Sequence, residues 1–160
     1  MDFLVWLQSR PFAAWVGESP SLLAYPTFLF LHTLGLALVV GANAVLDLRV
    51  LGAGRRVPLA TLQNVFRPMW VGFAINAVSG AVLFAAAAEF TGRKPIFYVK
   101  LGLIFLAMVT AMRIRRSLFG GRPAPAVNEA PIPPTVKMLA ATSLILWAAA
   151  MTAGRYTAYL

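Results

Sequence analysis

The chain has no cysteine, a single histidine and five acidic residues among 160. The missing cysteines exclude disulfides, thiolate metal sites and cysteine nucleophiles. One histidine and scattered carboxylates form no Ser-His-Asp set and no His/carboxylate cluster, and there is no phosphate-binding loop. Hydrolase and NTPase chemistry therefore have no residues to rest on. Charge is scarce as well, at 12% of residues against roughly a quarter in soluble domains. A soluble fold of this length could not be given a polar surface from such a composition. What fills the chain is apolar, 60% of residues with a mean hydropathy of +0.77, which also excludes disorder.

The uncharged stretches fall into four runs. Residues 19–46 and 68–88 carry no charge, 95–112 is interrupted only by Lys100, and 138–154 is uncharged. A spanning helix needs about 20 mainly apolar residues, and about 17 suffices. None of the runs alternates with period two, and an open sheet in lipid cannot satisfy its backbone. The expectation is an all-α integral membrane four-helix bundle in one transmembrane domain over 1–160. Its spans fall at about 22–46, 69–88, 95–112 and 136–154.

Between these runs lies punctuation. Residues 1–18 mix Phe3, Trp6, Phe12 and Trp15 with Asp2, Arg10 and Glu18, in stretches too short to cross. They read as an N-terminal interfacial helical segment rather than a signal peptide, since Asp2 precedes any basic residue. Leu59, Leu62, Val65 and Phe66 recur at helical spacing after Pro58, predicting a short amphipathic helix that stops at Pro68. Five prolines between 123 and 134 make 121–134 an extended Pro-rich linker.

The net charge of +9 does not point to nucleic acid, because the basic residues sit between apolar runs instead of on one soluble face. Arg49, Arg55, Arg56 and Arg67 occupy the first loop between spans, and Arg113, Arg115, Arg116, Arg122 and Lys137 the third. Those four and five make nine of the fourteen basic residues. The positive-inside rule then puts both loops in the cytoplasm and both termini outside. Anionic lipid headgroups are the plain partner for such a rim.

With that orientation, His32 lies roughly 10 Å and Lys100 about 6 Å below the outer face, at 1.5 Å per residue. Glu89 lies near the same level, Asn76 nearer the midplane, and Gly35, Gly80 and Gly102 in the outer half on three helices. Ionisable residues at such depth are costly and mark function, although a lone histidine can also bond a neighbouring helix, and a lysine can snorkel. The glycines serve either close helix packing or a cofactor face. Asp47 and Arg49 bracket the inner end of the first span, where a local ion pair or helix-end contact is expected. A faint echo links Pro26-Thr27-Phe28 and Leu34-Gly35-Leu36 with Pro95-Ile96-Phe97 and Leu101-Gly102-Leu103, the pattern of a duplicated hairpin.

Leu31-His32-Thr33-Leu34-Gly35-Leu36, Val45-Leu46-Asp47-Leu48-Arg49-Val50-Leu51-Gly52, Pro68-Met69-Trp70-Val71-Gly72-Phe73, Ser79-Gly80 and Pro95-Ile96-Phe97-Tyr98-Val99-Lys100 together resemble a bacterial family of small membrane proteins without assigned activity. The likeness covers residues 19–112 and implies four helices in a bacterial inner membrane, where the outside termini given by the basic loops are periplasmic. More remotely, a first-helix histidine with a third-helix lysine resembles the HemJ-type protoporphyrinogen oxidases and the membrane domain of copper-resistance protein D. The HemJ resemblance implies that His32 and Lys100 are the functional pair and that b-type haem is bound, His32 being the metal ligand. The HemJ motifs Trp-x-x-Gly and Leu-Pro-Arg after the histidine are absent.

Three readings follow. The first is a haem b redox protein, with His32 as axial ligand, Lys100 beside a propionate, Gly35, Gly80 and Gly102 leaving room for the macrocycle, and a membrane redox partner. The second is a non-catalytic accessory subunit of a larger membrane complex, with homo-oligomers also open. The third, copper handling, has only methionines as soft ligands beside one histidine. The residues do not decide whether the chain is an enzyme.

Overall fold

The computed structural model describes residues 2–120 and 131–157. Two short helices open the chain, α1 (Phe3–Gln8) and α2 (Pro11–Glu18). They are followed by α3 (Tyr25–Leu51), a 3-10 run (Leu59–Val65) leading into α4 (Phe66–Ala86), α5 (Ala88–Gly92), α6 (Pro95–Phe119) and α7 (Pro134–Tyr156). There is no strand among the described residues. Four stretches are long and apolar enough to cross a membrane: Tyr25–Leu51, Leu59–Ala86, Pro95–Phe119 and Pro134–Tyr156. The protein is a multi-pass, all-helical membrane protein.

Local chemistry sets the ends of these helices. Pro11, Pro95 and Pro134 each occupy the first helical position, where the missing N–H would have no partner anyway. The last turn of α3 is closed by Gly52 at φ 110°, where a side chain would be strained. Its N–H donates to the Arg49 carbonyl (3.2 Å) while Ala53 N–H reaches back to Leu48 (2.9 Å). This Schellman closure carries α3 one turn past residue 46, so Asp47 and Arg49 belong to the helix and not to a loop. Pro68 does not stop a helix. It falls in the first turn of α4, whose N–H groups have no intrahelical acceptor, so the 3-10 run passes straight into the span.

The long helices form three close antiparallel pairs, α3 with α4, α6 with α7, and α3 with α7. α4 and α6 lack that backbone approach and meet through rings near their ends, Phe84 on Phe97 (centroids 5.0 Å apart, stacked) and Phe66 on Phe119 (6.0 Å, edge-on). The core runs through Leu46, Val50, Met69, Ala107, Ile114 and Trp147. Phe30, Val78, Phe105 and Ile145, one from each long helix, stand exposed on the outside, as lipid-facing residues do.

The two short N-terminal helices close the end of the bundle opposite the arginine-rich loop. α1 packs on α5 and α2 on α4, burying Ala13 and Val16. Gln8 Oε1 accepts from the Glu89 N–H (2.9 Å), and Arg93 bridges Asp2 (3.2 Å) and Glu89 (3.0 Å). Of the Pro-rich linker, residues 121–130 lie outside the described residues.

Candidate functional site

The site begins with two glycines. A Cβ on Gly35 would stand 2.6 Å from the Asn76 backbone nitrogen, and one on Gly72 would stand 2.6 Å from the Leu38 Cβ. No side chain larger than hydrogen fits at either position, so α3 and α4 meet backbone to backbone. That approach lays the His32 ring against α4. His32 Nδ1 lies 3.0 Å from the Asn76 carbonyl oxygen, and Asn76 Nδ2 donates to the His32 carbonyl at 2.8 Å. A carbonyl only accepts, so Nδ1 is the donor, and in the neutral ring Nε2 keeps its lone pair. Ser79 Oγ lies 3.4 Å from Nδ1 but gives its proton to the Ile75 carbonyl at 2.5 Å. A Cβ on Gly80 would come within 2.9 Å of His32 Cε1 and 3.2 Å of Nδ1, so the Nδ1–Cε1 edge of the ring lies against α4.

Lys100 completes the pair from α6. It lies within electrostatic range of His32, and its stem crosses Gly154 of α7, where a Cβ would be 3.2 Å from the lysine Cε. Both residues are half-buried. Among the described residues, neither His32 Nε2 nor Lys100 Nζ makes a hydrogen bond. A donor and an acceptor thus stand near each other, in the half of the bundle that carries the N-terminus.

The other predicted residues separate. Gly35 and Gly80 are filled by the α3–α4 contact. Gly102 faces outward, with nothing within 4 Å of its Cβ position. Glu89 is turned to Arg93 and not to Lys100. Lys94 is buried, donating to the Thr157 carbonyl at 2.9 Å over the Phe90 ring, where it caps the end of α7. Asp47 is not paired with Arg49, whose guanidinium reaches Val57 O (2.7 Å) and Arg55 O (3.3 Å) across its own turn.

These contacts test the fit to haem in two parts. The histidine fits, because a ring held at Nδ1 by a carbonyl leaves Nε2 for a metal. The glycine slot does not, since Gly35 and Gly80 are occupied by Asn76 and by the His32 ring itself. A macrocycle therefore has no place between α3 and α4. Sequence reasoning noted Asn76 without giving it a role and passed over Gly72. The signal was a glycine on each helix, with one polar side chain close by on each.

No curated protein and no solved structure matches the chain, so the remoter resemblance to HemJ-type oxidases and copper-resistance protein D gains no support. A family model does match, over residues 3–160, which is nearly the whole chain. The chain belongs to that family, DUF6644, described as a family of unknown function.

Proposed function

We propose that this protein binds a lipid-soluble molecule with a polar head, a hydroxyl- or carbonyl-bearing amphiphile of the quinone or fatty-acid class, at His32 and Lys100. One observation carries the reading. The Asn76 carbonyl fixes the His32 proton on Nδ1, so that an unpartnered acceptor on α3 and an unpartnered donor on α6 stand within electrostatic range of each other. A head-group hydroxyl would donate to Nε2 and a carbonyl or carboxylate would accept from Nζ, while the tail stays in lipid. The weaker α4–α6 contact supports entry from that side. An intramembrane ionisable pair without a structural partner is the ordinary mark of a ligand or proton site.

A second reading is b-type haem on His32 Nε2, which the free ring nitrogen favours and the filled glycines do not. Haem would supply one-electron chemistry, with Lys100 as the nearby cation for a propionate. The basic loops favour an inner-membrane orientation with both termini periplasmic.

The test is the small-molecule content of the purified full-length protein. The expected result is a stoichiometric amphiphile on extraction and mass spectrometry, lost in both His32→Ala and Lys100→Met, with no Soret absorption from haem-replete cells. A Soret band lost in His32→Ala would move the conclusion to haem. A colourless protein carrying only bulk lipid would contradict both and leave an accessory subunit.

A further inference from the structure

A second polar cluster lies near the arginine-rich end of the bundle. Asn43 and Asp47 are one turn apart on the buried face of α3, and Ser143 and Trp147 are one turn apart on the buried face of α7. Ser143 stands beside the Asp47 carboxyl, and the helices run antiparallel, which brings Trp147 level with Asn43. Relative exposures are 1% for Asn43, 0% for Asp47 and Ser143, and 3% for Trp147. Asn43 Nδ2 is used by the Val39 carbonyl at 2.9 Å. Asn43 Oδ1, both Asp47 carboxyl oxygens, Ser143 Oγ and Trp147 Nε1 have no hydrogen-bond partner of ordinary geometry.

The surrounding cations do not answer this demand. Arg49 is spent on its own loop, Arg115 lies 5.3 Å over the Phe66 ring, and Arg113, Arg116 and Lys137 are exposed. Among the described residues, no ion pair reaches Asp47. A carboxylate left bare in an apolar core is among the most unfavourable groups a fold can hold. Four unpartnered oxygens from a carboxyl, an amide and a hydroxyl are the donor set of a hard cation. Only one of the three groups carries charge, and no set of three His, Cys, Asp or Glu residues stands together among the described residues. One negative charge balances one positive charge.

We propose that Asn43, Asp47 and Ser143 form a binding site for a single monovalent cation of the sodium class, with Trp147 donating to the carboxylate. Asp47 lies four residues from the end of α3, roughly 6 Å along the axis, so the ion enters from the arginine-rich end. The His32–Lys100 pair is roughly 22 Å further along the same helix, and neither site depends on the other.

The experiment is thermal unfolding of the full-length protein in detergent, with sodium replacing choline at constant ionic strength. Sodium should raise the Tm saturably, and potassium or lithium acting likewise also supports the site. Asp47→Asn and Ser143→Ala should abolish the rise while still melting cooperatively in choline. A hydrophobic carbodiimide that modifies buried carboxyls should react with Asp47 about tenfold more slowly when sodium is ten times its Kd, since about one site in eleven is then free. If Asp47→Asn does not fold, the wild-type titration and Ser143→Ala still decide. Equal Tm and equal modification in sodium and choline, including none, would overturn the proposal in favour of a protonated or water-bridged carboxyl. An effect of divalent ions alone, or a sodium effect that survives Ser143→Ala, would overturn it as well.

Discussion

Glycines that look alike in the sequence do different work here. Gly35 and Gly72 are the contact between α3 and α4, whereas Gly41 and Gly102 have nothing within 4 Å of a Cβ. Overpacking a closed site costs about 1–3 kcal/mol. Gly35→Ala and Gly72→Ala should each destabilise by that amount in denaturant titrations of the detergent-solubilised protein. Gly41→Ala and Gly102→Ala should be neutral or slightly stabilising, because alanine favours a helix over glycine by roughly 1 kcal/mol. Asn76→Ala removes one side-chain bond and frees the His32 carbonyl. Interhelical hydrogen bonds in membranes average about 0.6 kcal/mol, so a loss of about that size is predicted, with ligand content kept because the Nδ1 bond is to the main-chain carbonyl of residue 76.

The four long helices were legible because their evidence is compositional, and uncharged runs of sufficient length leave few alternatives to a helix in lipid. Their ends were less so. The extension of α3 past Asp47 depends on Gly52 adopting φ 110°, and the run through Pro68 depends on where the first turn of α4 begins. Neither is a matter of hydropathy. Counting depth along the helices gave His32 and Lys100 similar levels, while their pairing came from the HemJ resemblance. The fate of Gly35 and Gly80 followed from neither, because depth says nothing about which way a helix is rotated. Asp47, Ser143 and Trp147 were missed as a group for the same reason: their helices are distant in sequence and meet only after packing. The α4–α6 contact gives a prediction of its own. The Phe84–Phe97 pair should show a coupling of about 0.5–1.5 kcal/mol in a double-mutant cycle, and Phe84→Ala should speed exchange of the bound amphiphile.

Seen as a membrane protein, the chain presents apolar side chains to lipid on each long helix and buries two groups of polar side chains at two levels. The short N-terminal helices cover one end, and most of the described arginines lie toward the other. Basic residues on cytoplasmic loops set orientation. Reporter fusions after Arg56 should therefore be active only in the cytoplasm, and those at the C-terminus only outside it. A cytoplasmic C-terminus would contradict the arrangement with both termini periplasmic.

The most direct measurement uses the fact that the chain has one histidine. Nitrogen NMR of the imidazole, with the protein in bilayers, reads the proton on each ring nitrogen with no assignment problem. The predicted result is a proton on Nδ1, a bare Nε2, and an Nε2 signal that moves when the bound amphiphile is extracted or when Lys100 is changed to Met. A neutral ring with its proton on Nε2, or an Nε2 signal indifferent to both changes, would contradict the assignment of His32 and Lys100 as the binding pair.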